Sequence, residues 1–163
     1  MSGTSALAKH YISEQDYIEG EKISDIRHEY IDGEVYAIAG SSRRHNRIAG
    51  NLYIALSRAS HNTPCDVFNS DLKVRIDSRK SYYYPDVLVT CDEDDNKNDY
   101  YIDMPCLIVE VLSKSTEQKD YREKLLAYQA IPSLQNHLIV AQGSCHVDLF
   151  YRKKTGRLVD SNI

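Results

Sequence analysis

Apolar and polar positions change their period several times along the chain, and the changes mark out helices and strands. Ile48, Leu52, Ala55 and Ala59 recur at helical spacing, which predicts a helix over about 44–59 with that stripe buried. Tyr121, Leu125 and Tyr128 predict a second helix over 117–130, ended by Ile131-Pro132. Ser113 and Thr116 read as caps for that helix, with Thr116 as N-cap. Strand-like stretches lie between the helices at 67–76, 82–90 and 106–112, the last being the most apolar. A short buried strand follows over 136–140. Nearer the start, 28–39 reads as two strands around Asp32-Gly33, a dipeptide suited to the φ > 0 positions of a tight turn. Ser13 to Asp16 opens a short helix, with Ser13 as N-cap and Asp16 at the reciprocal position. Stretches 147–152 and 157–160 form a closing hairpin around Thr155-Gly156, its last strand expected to be cut short three residues beyond Asp160.

The core order is therefore helix, three strands, helix, strand. That is a mixed α/β (α+β) fold class with an extra N-terminal β-hairpin. With 163 residues, no repeat and no linker, the expectation is a single domain over 1–163 with its core at about 28–151.

Composition narrows the function less than the pattern does. A net charge of −4 excludes a polycation and gives no bulk reason to bind nucleic acid. The distribution is uneven, however. Residues 35–65 carry Arg43, Arg44, Arg47 and Arg58 and no acid, whereas residues 1–34 hold eight acids against three bases. The acidic run from Asp92 to Asp103 reads as a solvated loop. Tyrosine is used 13 times against two Phe and no Trp. Met1 to Lys9 is too polar for a signal peptide and no run reaches transmembrane length, so a cytoplasmic chain with no membrane partner is expected. Cys65, Cys91, Cys106 and Cys145 lack any C-x-x-C spacing, so neither a disulfide framework nor a zinc site is expected. Cys91 and Cys106 read as small buried hydrophobes. Cys145 and His146, adjacent on a strand, are poorly placed to pair as nucleophile and base.

The chemistry concentrates in Leu107 to Leu112, where Glu110 interrupts an apolar strand. Its same-face neighbours Ile108 and Leu112 are large aliphatics, and a carboxylate buried there without a partner is costly. Asp86 opens a second apolar strand behind Pro85. Two acids on adjacent strands suit one divalent cation held through oxygen, while Asp86 as a turn cap is the plainer alternative. Lys124 lies at the edge of the second helix's buried stripe, on the flank facing the sheet, and Tyr121 and Tyr128 flank it as part of a polar-tipped wall. An inward amine there would orient water or stabilise charge on a phosphate. A surface pair with Asp120, worth only ~0.3–0.5 kcal/mol, is the other reading.

The segments HEYIDGEVYAIAGSSRRHNRIAGNL, SDLKVRI, YYYPDVLV, PCLIVEVLSKST and DYREKLLAYQ occur in that order over most of residues 28–140. In them the chain resembles the Uma family of putative restriction endonucleases, within the PD-(D/E)xK nuclease superfamily. The resemblance implies a restriction endonuclease-like fold, with Asp86 and Glu110 as ligands of Mg²⁺ or Mn²⁺ and the Val111 carbonyl as a further oxygen. The superfamily's usual lysine position is Leu112 here, and the resemblance implies that Lys124 supplies the amine from the following helix. His45 and Asp71 match the family's recurrent polar positions. His45 would then face the site toward phosphate or water, or else stand exposed at its helix N-terminus. Asp71 would be a third acid at the metal, or a turn residue.

The implied activity is metal-dependent hydrolysis of DNA phosphodiester bonds, with Asp86, Glu110, Lys124 and His45 as the catalytic set. A nuclease-fold nucleic-acid-binding or regulatory module without turnover is the alternative. A structural salt bridge between Glu110 and Lys124 is the third. Cutting two strands by symmetry would call for a homodimer, although nothing in the sequence specifies its interface.

Overall fold

The computed structural model describes residues 10–112 and 119–161. The predicted caps Ser113 and Thr116 lie outside the described residues. Helix α1 (Glu14–Glu21) starts as expected, with the Ser13 hydroxyl accepting the Asp16 N–H at 3.1 Å and donating to the Asp16 carboxylate at 2.7 Å. Strands β1 (His28–Ile31) and β2 (Glu34–Ala37) form the N-terminal hairpin. Its turn holds Asp32 at φ 41° and Gly33 at φ 92°. A Cβ on Gly33 would also stand 2.1 Å from the exposed Tyr11 ring. Gly33→Ala is therefore expected to cost about 1–2 kcal/mol, mostly backbone strain because the ring can swing away, read from the denaturant midpoint.

Helix α2 spans Arg43–Ala59, one residue longer than its periodicity predicts. Its covered stripe is displaced from the expected one. Ile48, Ala49, Leu52, Tyr53 and Leu56 pack on the sheet, while Ala55 and Ala59 are exposed. The larger side chains set the helix's rotation, and the alanines bury too little area to compete.

Two of the predicted strands are each two strands. Stretch 67–76 breaks into β3 (Asp66–Asn69) and β4 (Lys73–Ile76) at the Ser70-Asp71 turn. Stretch 82–90 breaks at Tyr84-Pro85-Asp86 into β5 (Ser81–Tyr83) and β6 (Val87–Thr90). Pro85 has no N–H for a ladder, so the chain leaves one sheet there and enters another. Strands β7 (Tyr101–Ile102) and β8 (Pro105–Leu112), helix α3 (Lys119–Gln129), and strands β9 (Asn136–Ala141), β10 (Val147–Arg152) and β11 (Leu158–Asp160) complete the order.

The result is two mixed sheets, ordered β2-β1-β5-β4-β7 and β11-β10-β9-β8-β6-β3. Strands β8 and β9 are parallel with α3 as the crossover, whereas β6 runs antiparallel to β8 and β3 antiparallel to β6. One face of the six-stranded sheet carries α2 over Val87, Val109, Val111 and Val140. Its other face joins the main core, where Ile108, Ile139 and Phe150 meet Tyr128 of α3 and Val74, Ile76 and Tyr83 of the five-stranded sheet. Helix α1 lays Tyr17 against Tyr30 and Tyr82, with ring centroids 5.0 and 5.3 Å away. Much of the tyrosine excess is thus core aromatic whose hydroxyl reaches a carboxylate or carbonyl, as Tyr30 reaches the Ile12 carbonyl and Tyr82 reaches Glu14.

Two expectations are overturned at the far end of β6. Cys65 and Cys91 form a disulfide. Asp66 faces Thr90 across β3 and β6, which brings together flanking residues 26 apart in sequence. Linear cysteine spacing carries no trace of such a cross-strand meeting. Cys91 is exposed and Cys106 half-buried, so neither is the enclosed hydrophobe expected. The acidic run is also more ordered than a solvated loop. Asp95 is buried and accepts from the Thr90 hydroxyl at 2.7 Å and from the backbone N–H groups of Asp103 and Met104.

Candidate active site

Strand alternation in β8 sends Val109 and Val111 toward α2, and Ile108 and Glu110 toward α3. Val87 pairs with Val109, so continuing that antiparallel register sets Asp86 opposite Glu110. The Asp86 carboxylate extends the ladder in place of a backbone group, accepting the Val111 N–H at 2.7 Å. The same oxygen meets Nε2 of His45 at 3.1 Å. His45 is buried in the first turn of α2, behind the Ser42 cap that holds its N–H, and is not the exposed helix residue its isolation suggested. The hydrogen bond to Asp86 raises the imidazole pKa against the opposing effect of burial, with the Glu110 charge and the Val111 backbone adding to the rise.

On the α3 side, the Tyr128 hydroxyl donates to Glu110 Oε1 at 2.6 Å. Lys124 stands one helical turn earlier on α3, with Nζ 3.7 Å from the same oxygen and 2.9 Å from Glu29 of β1. The Glu110 and Lys124 side chains are each only 13% exposed. Burial pushes the Glu110 carboxyl up to about 8 despite the Lys124 charge, and the Asp86 charge adds to the rise. His137, packed edge-on against the Tyr128 ring, is driven down to about 3 by burial and by Lys124, so it stays neutral.

Asp86, Glu110, Lys124 and His45 are therefore brought together from the bend before β6, from β8, from α3 and from α2. Asp71 is not brought as close. It shares with Asp86 and His45 the lining of a cleft of about 270 Å³, but its carboxylate is 81% exposed and pairs with Arg27 at 3.1 Å. Ser41, Asn46, Tyr53 and Asn69 complete a polar lining beside α2.

Glu29 and Tyr128 belong to this cluster as well, and of the two Glu29 is the one the sequence reading misses. A signal for Glu29 existed. Ile31, its same-face neighbour on β1, packs on the main core, so period-2 alternation directs Glu29 inward as well. Tyr128 is the polar-tipped flank of Lys124 that the sequence suggests, its hydroxyl finding a partner in Glu110.

Residues 15–163 match the Uma2 family model, described as putative restriction endonuclease. The chain belongs to the Uma2 family. Two uncharacterized proteins of Synechocystis sp. are relatives within reach of sequence comparison. One, slr1290, is 39% identical over 145 residues, covering 89% of this chain and 76% of the relative. The other, sll1609, is 33% identical over 139 residues, covering 84% and 78%. The crystal structure of a putative nuclease belonging to DUF820 from Anabaena variabilis superposes with a TM-score of 0.70 at 15% identity, over 86% of this chain and 79% of that one. At that identity the likeness speaks for the fold, and it is a nuclease-like fold. Family and fold together support a nuclease-type function for this Uma2 chain. Among the described residues, no helix is long and apolar enough to cross a membrane.

A hard divalent cation is the group such a site would require. The donors suit it in kind: two carboxylates, each little exposed, close enough for their like charges to repel. No group of three or more His, Cys, Asp or Glu side chains among the described residues is placed to hold a metal. The fit is thus to a cation that keeps several waters and takes one or two carboxylates plus substrate phosphate, as Mg²⁺ does, and not to an all-protein cage.

Proposed function

We propose that this chain is a divalent-cation-dependent nuclease that hydrolyses DNA phosphodiester bonds at the cleft beside Asp86. One observation carries the reading: two little-exposed carboxylates, one at the entry to β6 and one on β8, meet an inward lysine and a buried histidine. Asp86 and Glu110 would hold Mg²⁺ or Mn²⁺, with the Val111 carbonyl beside them. Bound there, the cation supplies Lewis-acid polarisation of the phosphate and a more acidic water. The chain's own residues do the rest. Tyr128 fixes the Glu110 carboxylate and opposes its reprotonation by hydrogen bonding to it. His45 and the Val111 N–H fix Asp86. Lys124 presents a cation where charge develops on the scissile phosphate, with Glu29 setting its reach. Arg43, Arg44 and Arg47, in the first turns of α2 beside the lining residues His45 and Asn46, would offer positive charge near the cleft to a polyanion. Cutting both strands would follow from a homodimer with two such clefts.

A second reading is a nuclease-fold module that binds nucleic acid without turnover. The closer contact of Lys124 to Glu29 than to Glu110, with Leu112 in the superfamily's lysine position, favours it. Supercoiled plasmid, linear DNA and RNA incubated with the purified chain in Mn²⁺, Mg²⁺ or EDTA separate the two. Nicking or cleavage of DNA that EDTA abolishes is the expected result. Normal Mn²⁺ binding with no cleavage of any substrate would establish the silent module instead.

A further inference from the structure

The cysteines at the opposite end of β6 from Asp86 form a cluster that the nuclease reading does not use. Cys65 precedes β3, Cys91 follows β6 and Cys106 is the second residue of β8, three strands adjacent in the sheet. Cys91 is bonded to Cys65, and its sulfur lies 3.5 Å from the sulfur of Cys106. Cys91 is exposed, so a small thiol or disulfide can reach it, whereas Cys65 and Cys106 are half-buried on either side. Cys145 lies apart, exposed in the turn between β9 and β10.

We propose that Cys65, Cys91 and Cys106 form a thiol–disulfide relay in which Cys91 takes up a small-molecule disulfide and passes the bond to either neighbour. Starting from three thiols, the Cys91 thiolate attacks one sulfur of oxidised glutathione. The S–S bond of the glutathione breaks, and one glutathione leaves as a thiolate that takes a proton. Cys65 or Cys106 then loses its proton, attacks the Cys91 sulfur and expels the second glutathione. Two protein thiols are oxidised and one glutathione disulfide is reduced to two thiols. In the exchange step the Cys106 thiolate attacks Cys91 while Cys65 leaves and takes the proton, with no net oxidation. Burial holds the Cys106 thiol above its ordinary pKa, so it rests protonated beside the intact bond.

Peptide mapping of the full chain tests this, because trypsin sites at Lys73, Lys97 and Lys124 separate all four cysteines. The reduced chain is treated with oxidised glutathione, its free thiols are alkylated, and it is digested without reductant. The wild type should yield the Cys65–Cys91 link together with a smaller amount of the Cys91–Cys106 link, with Cys145 alkylated. Cys65→Ser should move the link to Cys91–Cys106. Cys65→Ser/Cys106→Ser should retain glutathione on Cys91. Cys106→Ser, which keeps the observed bond, should lose only the Cys91–Cys106 peptide. The relay is overturned if Cys65→Ser holds glutathione on Cys91 as the double variant does, or if all four wild-type thiols are alkylated. Protection of the three thiols by added Zn²⁺, with no link formed by glutathione, would also overturn it and leave a metal site in its place.

Discussion

Glu110→Gln is expected to abolish Mn²⁺ binding at the candidate site and to lower metal-dependent DNA cleavage by at least ~10³-fold, about 4 kcal/mol of barrier. The substitution keeps the side chain's shape, and an amide oxygen can still accept from the Tyr128 hydroxyl. It removes only the charge that faces Asp86 across β6 and β8. Because burial and Asp86 together hold the native carboxyl at about 8, the neutral amide should fold at least as stably as the wild type above that pH. Lost activity with retained or raised melting temperature therefore separates a functional carboxylate from a structural one. Isothermal titration with Mn²⁺, a plasmid-nicking time course and thermal melts supply the three readouts. Mn²⁺ affinity within twofold of wild type would remove Glu110 from the proposed ligand set. Asp86→Asn should act similarly on metal while also loosening His45, whose ring would lose its charged partner.

How far the site could be read in the sequence depended on how local its causes are. Glu110 and Asp86 stood out because each interrupts an apolar run, and a short run reports burial directly. Helical phase put Lys124 on the flank facing the sheet but left a surface pair with Asp120 open, and the family resemblance supplied its role. The five-stranded sheet was not legible. Its strands are two to four residues long, and although β4 and β5 pair locally, β1 meets β5 and β4 meets β7 only through pairing between distant segments. Reading 82–90 as one strand hid the switch between sheets, although Pro85 marks where the ladder must stop. Glu29 was lost among eight acids in the first 34 residues, since charge density does not distinguish an inward carboxylate from solvated ones. The disulfide was illegible for the same reason as the sheet: it depends on the β3–β6 register. What periodicity supplied was which residues lie inside. What it lacked was which inside residues meet.

Lys124→Met should destabilise the chain by about 3–5 kcal/mol at pH 9, because it leaves Glu110 and Glu29 little exposed with their shared cation gone. The loss should depend on pH in a direction set by Glu110. In the wild type its folded pKa, about 8, lies above the ordinary carboxylate value, so between the two the folded chain binds more protons than the unfolded one. Stability contributed by this group is then full at low pH and falls as pH rises toward 8. Lys124 opposes the rise in Glu110's pKa, so removing it raises that pKa further and extends the falling limb upward. The gap between wild type and variant should therefore be smallest near pH 5, where Glu110 is neutral in both, and widen steadily through pH 8 to 9. Urea denaturation at pH 5, 7 and 9 reads this. A difference under ~1 kcal/mol at every pH would mean that Lys124 behaves as a surface lysine. Mn²⁺ titration of the same variant divides the roles, since a lysine acting on phosphate leaves the two carboxylates free to bind metal. Retained Mn²⁺ binding with cleavage lost assigns Lys124 to phosphate. Retained binding with cleavage intact would reduce the Glu29–Lys124–Glu110 cluster to a structural ion pair.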